Sequence, residues 1–210
     1  MVSSMARPVK HGEATRDALL DAAELLLAGG ADAVSVREVA EHVGVSTRAV
    51  YTAFGSMPGL MGALSARGFD RLTYLVQQTP VTDDPLADLA TVGRAFRRFA
   101  IDRPHLFRIT FDRVSPDIYT QPEAGPALQH AYQTLEAFVD RALASGHLRP
   151  RPPAEIVFMF HSICCGLASN ELSMAPPPVG ATFWSMIADA DIASLWDTAL
   201  TAFVDGLRTD

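Results

Sequence analysis

The sequence predicts an all-α protein of about nine helices, a small N-terminal head built on a helix-turn-helix and a larger helical body. Three observations carry that expectation. Every strong hydrophobic period along the chain is helical, and none alternates over a strand's length. Residues 35–55, SVREVAEHVGVSTRAVYTAFG, spell two short helices joined by a glycine turn. Finally, 210 residues that are 49% hydrophobic and 20% charged are ordinary globular composition, with enough chain for a sizeable core.

In the head, Thr15 is expected to cap a first helix with Leu19, Ala22, Ala23 and Leu26 inward, stopped at Gly29-Gly30. Ser35 with Glu38 three residues on is a capping box that opens a second helix. Val36, Val39, Ala40 and Val43 give that helix one apolar stripe, and Gly44 supplies the left-handed residue that ends it. Ser46 is expected to cap a third helix running to Phe54, with Val50, Ala53 and Phe54 on one side and Thr47, Arg48, Tyr51 and Thr52 on the other. Ala40, Gly44 and Val50 form the small-turn-plug skeleton of a near-perpendicular helix pair. The inner side packs; the outer side is free to meet DNA.

Ser56 caps a fourth helix that tolerates Pro58 in its first turn and runs to about Gln78. The linker TPVTDDP follows, and Asp84-Pro85 opens a fifth helix bearing Leu86, Leu89, Val92, Phe96 and Phe99. Asp102 and Pro104 break the chain before a short sixth, PHLFRITF. After a proline-marked loop, residues 126–145 make the seventh, ended by Gly146. Pro152-Pro153 opens the eighth, to about Leu172; SMAPPPVGA is a loop; Asp191 to Leu207 is the ninth. The predicted boundary puts the arm and head in residues 1–56 and the body in 57–210.

The head resembles the tetracycline-repressor (TetR) family of bacterial regulators over residues 15–60, TRDALLDAAELLLAGGADAVSVREVAEHVGVSTRAVYTAFGSMPGL, and the all-helical remainder is similar in architecture. The resemblance implies a three-helix DNA-binding head, a fourth helix linking it to a ligand-binding and dimerisation body, and repression from a double-stranded operator relieved by a small molecule. Two positions depart from the family pattern. Ala53 and Met57 stand where many relatives carry a histidine and a lysine, so two common phosphate contacts are missing, and Arg7, Lys10 or Arg67 would have to compensate. Where some relatives carry Trp-x3-His-Gly in the eighth helix, this chain has His161, Cys165 and Gly166, so no ligand role attached to that tryptophan and histidine carries over.

Net charge is −7, which argues against a surface that coats nucleic acid uniformly. Residues 42–69 nevertheless contain no Asp or Glu, and no acid precedes Glu13. DNA binding through such a locally acid-free face is steeply salt-dependent. The candidate DNA-binding residues are Ser35, Ser46, Thr47, Arg48, Tyr51 and Thr52. Arg48 is the choice for a base contact, because its fork donates two bonds to a guanine edge, whereas Tyr51 and Ser46 suit phosphates.

The eighth helix is apolar all round at residues 156–160, and the ninth carries Ile192, Leu195, Trp196, Ala199, Phe203 and Leu207 at helical spacing. These two helices are expected to pair with their copies as a four-helix homodimer interface. A pocket for a small, mostly apolar effector is expected among helices four to eight, its candidate residues Phe96, Phe99, Phe107, Phe111, Tyr132, Gln133, Phe160 and His161. His105 and Asn170 are further polar candidates for orienting it.

Cys164 and Cys165, adjacent on a helix, point about 100° apart and cannot bridge each other normally. Buried packing is their expected role. A metal or nucleophile built on them and His161 lacks further ligands and a base, so no catalytic residue, metal or cofactor is expected. No signal-peptide core stands at the N-terminus, and the apolar run Ile156–Leu167 is too short for a bilayer, so a cytoplasmic protein without a membrane segment is expected. Besides a repressor, two function classes fit the residues: a helical interaction module whose head no longer binds DNA, and a His/Cys metal protein or enzyme.

Overall fold

The computed structural model describes residues 9–29, 34–112, 116–173 and 191–209. Arg7, Gly30, the side chain of Lys10 and most of the proline-rich loop after Ser173 lie outside the described residues. Among the described residues there are nine α-helices and a single isolated bridge, Leu148 to Arg208.

Helix α1 spans Val9–Ala28, so Thr15 lies inside it and not at its start. Nothing in residues 9–14 breaks a helix as proline would, and the helix continues back through them. Helices α2 (Val36–Val43) and α3 (Thr47–Phe54) follow, and α4 (Met57–Gln77) starts at Ser56, whose hydroxyl accepts from the Gly59 N–H at 3.1 Å. Helix α5 covers Pro85–Asp102, with the Asp84 carboxylate accepting from Leu86 and Ala87 N–H groups at 3.1 and 3.0 Å. The predicted sixth helix is shorter than expected: α6 is Pro104–Phe107, and the chain then widens into a π turn at Arg108–Asp112. A 3₁₀ turn, Pro116–Thr120, precedes α7 (Ala124–Ala144), α8 (Pro153–Ser173) and α9 (Ile192–Leu207).

Helix α4 is the spine. One end packs on α1 and α3; its length packs on α5, α6, α7 and both irregular turns. Helix α5 crosses α9 closely, because Gly93 has no side chain where a Cβ would sit 2.5 Å from Leu200. Trp196, 1% exposed, donates its indole N–H to Glu171 at 2.8 Å, and Arg97 donates to the same carboxylate at 2.7 Å. This triad fastens α9 and α5 to the end of α8. The chain end is tied down by Arg149 N–H to Leu207 carbonyl (2.8 Å) and Thr209 N–H to His147 carbonyl (3.0 Å).

Helix α8 has the length and apolar content to cross a bilayer, being longer than the apolar run read in the sequence. Its Glu171 is engaged inside the bundle, while Phe158 is left 66% exposed.

Candidate DNA-binding face and ligand cavity

The head is assembled from local signals. Ser35 and Glu38 make both halves of the capping box: Glu38 N–H donates to the Ser35 hydroxyl (3.2 Å) and Ser35 N–H to the Glu38 carboxylate (3.0 Å). The serine hydroxyl also donates to that carboxylate at 2.6 Å, and these bonds hold Glu38 below the usual carboxylate range. Ser35 is exposed, but its hydroxyl is committed to the cap. Gly44 closes α2 at φ 75°, ψ 30°, a left-handed conformation costly for any residue with a Cβ. Val39, Ala40 and Val50 are then buried together with Leu19 and Ala23 of α1.

Burying that face turns Thr47, Arg48, Tyr51 and Thr52 outward, all of them exposed. Ser46 precedes α3 in an extended conformation without a side-chain cap bond, contrary to the expected cap. Its place at the N-terminus of α3 is retained, where N–H groups face outward. Thr52 donates its hydroxyl to the Arg48 carbonyl at 2.8 Å, so it presents mainly a methyl group. Tyr51 is 52% exposed, and Arg48 pairs with no carboxylate among the described residues. Arg67 is engaged by carboxylates: it donates to Asp21 at 2.5 Å and lies 3.6 Å from Glu24, across the seam between α4 and α1.

That seam escaped sequence reasoning because its partners are far apart in the chain. Arg16 of α1 stacks over the Phe54 ring at 4.9 Å and is ion-paired with Glu123, just before α7. Arg103 after α5 reaches Glu24 at 2.7 Å. His105 lies in the same region, where burial and Arg108 lower its pKa against the pull of Glu24.

In the body, Phe69, Leu72, Thr73 and Val76 of α4, Val92 and Phe96 of α5, Phe111 of the π turn, Ala131, Tyr132 and Leu135 of α7, and Phe160 and His161 of α8 surround a cavity. The free volume between these walls that a water-sized molecule can occupy is about 40 Å³. The π turn places Phe111 at the centre of the aromatic wall: its ring is 5.2 Å from Phe69, 5.3 Å from Phe96 and 5.4 Å from His161.

Five of the predicted pocket residues therefore line the cavity: Phe96, Phe111, Tyr132, Phe160 and His161. Phe99 and Phe107, both fully buried, pack behind Phe111 and Phe96 instead, since helical spacing marks an inward residue but not which inner layer it joins. Gln133 is exposed; with Tyr119, Gln129 and Glu136 it lines an open groove that shares Tyr132 with the cavity, and it does not line the cavity itself. Asn170 is exposed as well. Thr73 went unnoticed in the sequence, although it interrupts the stripe Phe69, Leu72, Val76 as its one polar member.

Burial keeps the cavity neutral. It lowers the His161 pKa and raises that of Tyr132. Cys165 lies 3.4 Å from His161 Nε2, and its thiol is pushed up to about 12 by burial and by Asp112. Cys164 is fully buried and its thiol is also raised by burial. Neither is a ready nucleophile. Among the described residues, no three His, Cys, Asp or Glu side chains converge as a metal site.

Residues 19–64 match the tetR family of bacterial regulatory proteins, and residues 89–203 match the tetracyclin repressor-like C-terminal domain. Solved structures share the fold. A protein of unknown function from Rhodococcus sp. RHA1 superposes with a TM-score of 0.75 at 22% identity, over 92% of this chain and 95% of that one. A putative tetR family transcription regulator from Shewanella sp. PV-4 gives 0.71 at 16% identity, over 93% and 98%. The transcriptional regulator FadR from Bacillus subtilis, solved with stearoyl-CoA, gives 0.68 at 14% identity, over 91% and 99%. No curated protein matches the chain.

Proposed function

The chain belongs to the TetR family of bacterial transcriptional regulators, and from that premise we propose a cytoplasmic repressor that binds a roughly palindromic operator as a homodimer and leaves it when a small apolar ligand enters the body. The observation that carries the DNA half is the outer face of α3: Thr47, Arg48 and Tyr51 exposed on a fully packed helix-turn-helix, in a stretch with no acid from residue 42 to 69. Arg48 is the base reader, Thr47 meets a base methyl or a phosphate, and Ser46 and Tyr51 bind phosphates. Ser35 and Thr52 border that face, their hydroxyls held by Glu38 and the Arg48 carbonyl. Residues 1–56 form the DNA-binding domain and residues 57–210 the ligand-binding and dimerisation domain.

Dimerisation runs through α8 and α9. In favour of this stand Phe158, 66% exposed on α8, and Leu195, 42% exposed on α9, together with the small exposed residues Ser162 and Gly166 that allow close helix approach. A head on each subunit then reads half-sites one helical turn apart or a multiple of it.

Selection of bound sequences from a random DNA pool, followed by gel shifts at several salt concentrations, tests the reading. Recovery of an inverted repeat supports it. Recovery of no preferred sequence sinks it in favour of a helical interaction module, the outcome that Ala53 and Met57 at two usual phosphate-contact positions would explain.

A further inference from the structure

We propose that the body cavity takes an uncharged, planar, single-ring molecule whose hydroxyl or carbonyl group hydrogen-bonds the Thr73 side chain. This deepens the ligand-release reading above and rests on it for its regulatory meaning, but the chemistry follows from the cavity itself.

No charged side chain lines the cavity, and its inner surface is mainly apolar, with rings from Phe69, Phe96, Phe111, Tyr132 and Phe160 among its walls. Edge-on and tilted rings around Phe111 and His161 leave faces and edges that complement a flat aromatic guest. The free volume of about 40 Å³ is below the roughly 150 Å³ of a cavity that takes benzene, so a single ring enters with a modest outward movement of the walls and a long acyl chain only with a far larger one. An anion would find no cation to pair with, and a cation no carboxylate, so either would be desolvated at a loss.

Thr73 supplies the one feature that an apolar packing role does not explain. It is 5% exposed, lines the cavity, and its hydroxyl has no hydrogen-bond partner among the described residues. A buried hydroxyl is ordinarily satisfied, and a helical threonine readily bonds the carbonyl four residues back, as Thr52, Thr91, Thr134 and Thr198 all do here. Thr73 has kept its hydroxyl unspent. Ser65 and Thr110 also carry unpartnered hydroxyls, but neither lines the cavity.

The test titrates the purified full-length protein by calorimetry with phenol, with toluene as its shape-matched apolar counterpart, and with benzoate as its charged one. Phenol should bind about tenfold more tightly than toluene, and benzoate at least tenfold more weakly than phenol. In Thr73→Val the phenol-to-toluene ratio should fall to about one with toluene affinity unchanged, and Thr73→Ser should restore it. Removing an unpartnered hydroxyl should leave the melting temperature unchanged or raised, so Thr73→Val remains a usable protein. Toluene equalling phenol in the natural protein, benzoate binding best, a ratio indifferent to Thr73→Val, or no binding by any of the three would overturn the proposal. Release of the selected operator duplex is followed in parallel: phenol binding without release upholds the cavity chemistry and overturns only the regulatory reading.

Discussion

The Arg16 guanidinium lies 4.9 Å from the centre of the Phe54 ring and on its other side is paired with Glu123. One side chain of α1 thereby touches the end of the recognition helix and the start of α7, which lines the cavity through Ala131, Tyr132 and Leu135. A shift of α7 on ligand entry would be felt at Phe54 through this contact. Arg16→Gln should lower unfolding stability by about 1 kcal/mol, from the loss of a cation–π contact and a part-exposed ion pair. A double-mutant cycle with Glu123→Gln, read by urea unfolding and by operator affinity, should give non-additive effects in both. Additive effects in both would show that Arg16 links nothing.

The exposed face of α3 makes a sharper contrast between two neighbours on one helix. Arg48→Ala should weaken operator binding by about 1–3 kcal/mol and broaden the sequence preference at one position of each half-site. Thr52→Val should change it by less than about 0.5 kcal/mol, because the lost hydroxyl was bonded to the Arg48 carbonyl and the methyl contact stays. Fluorescence anisotropy on the selected duplex and on single-base variants measures both.

The head was legible in the sequence because its determinants are local: the Ser35–Glu38 box, the glycine at position 44 and the spacing from Ala40 to Val50 all lie within residues 35–50. Ser46 and Thr15 show the limit of that logic, since cap-forming residue types need not be used as caps. The cavity was legible in composition but not in layering. Phe96 and Phe99 lie three positions apart on one helix face, yet only Phe96 reaches the cavity. Phe111 owes its central place to a π turn that the periodicity of residues 104–111 did not announce. Thr73 had the subtlest signal, a hydroxyl in an otherwise apolar stripe, and Arg16 with Glu123, 107 positions apart, had none.

Acid should unfold the protein partly through Asp88. Burial, with only 3% exposed, would raise its pKa, but the Thr82 N–H at 2.9 Å, the Arg141 guanidinium at 2.9 Å and the Thr82 hydroxyl at 2.7 Å outweigh it and hold the carboxylate below its ordinary value. A depressed folded-state pKa means that the stabilisation is fully present above the unfolded value of about 3.9 and fades as pH falls through the folded one. Asp88→Asn should therefore melt lower than the natural protein at pH 7, with a loss of about 1–3 kcal/mol, and the gap should close progressively below about pH 4. A gap that stays constant from pH 7 to pH 3 would remove Asp88 from the acid response.

Phe158 tests the assembly. A phenylalanine 66% exposed on an apolar helix costs nothing to replace if the face is open to water and a great deal if a second subunit covers it. Phe158→Glu puts a charge into each half of the proposed interface, since an isologous contact uses the same patch on both subunits, and each charge would be desolvated there. The variant should keep its helical circular dichroism and shift from dimer to monomer in light scattering at micromolar concentration. Operator affinity should then fall much more than in Arg48→Ala, because each free head retains only one half-site and loses the effective concentration that the second subunit provides. A dimer that survives Phe158→Glu intact would move the interface away from this face of α8.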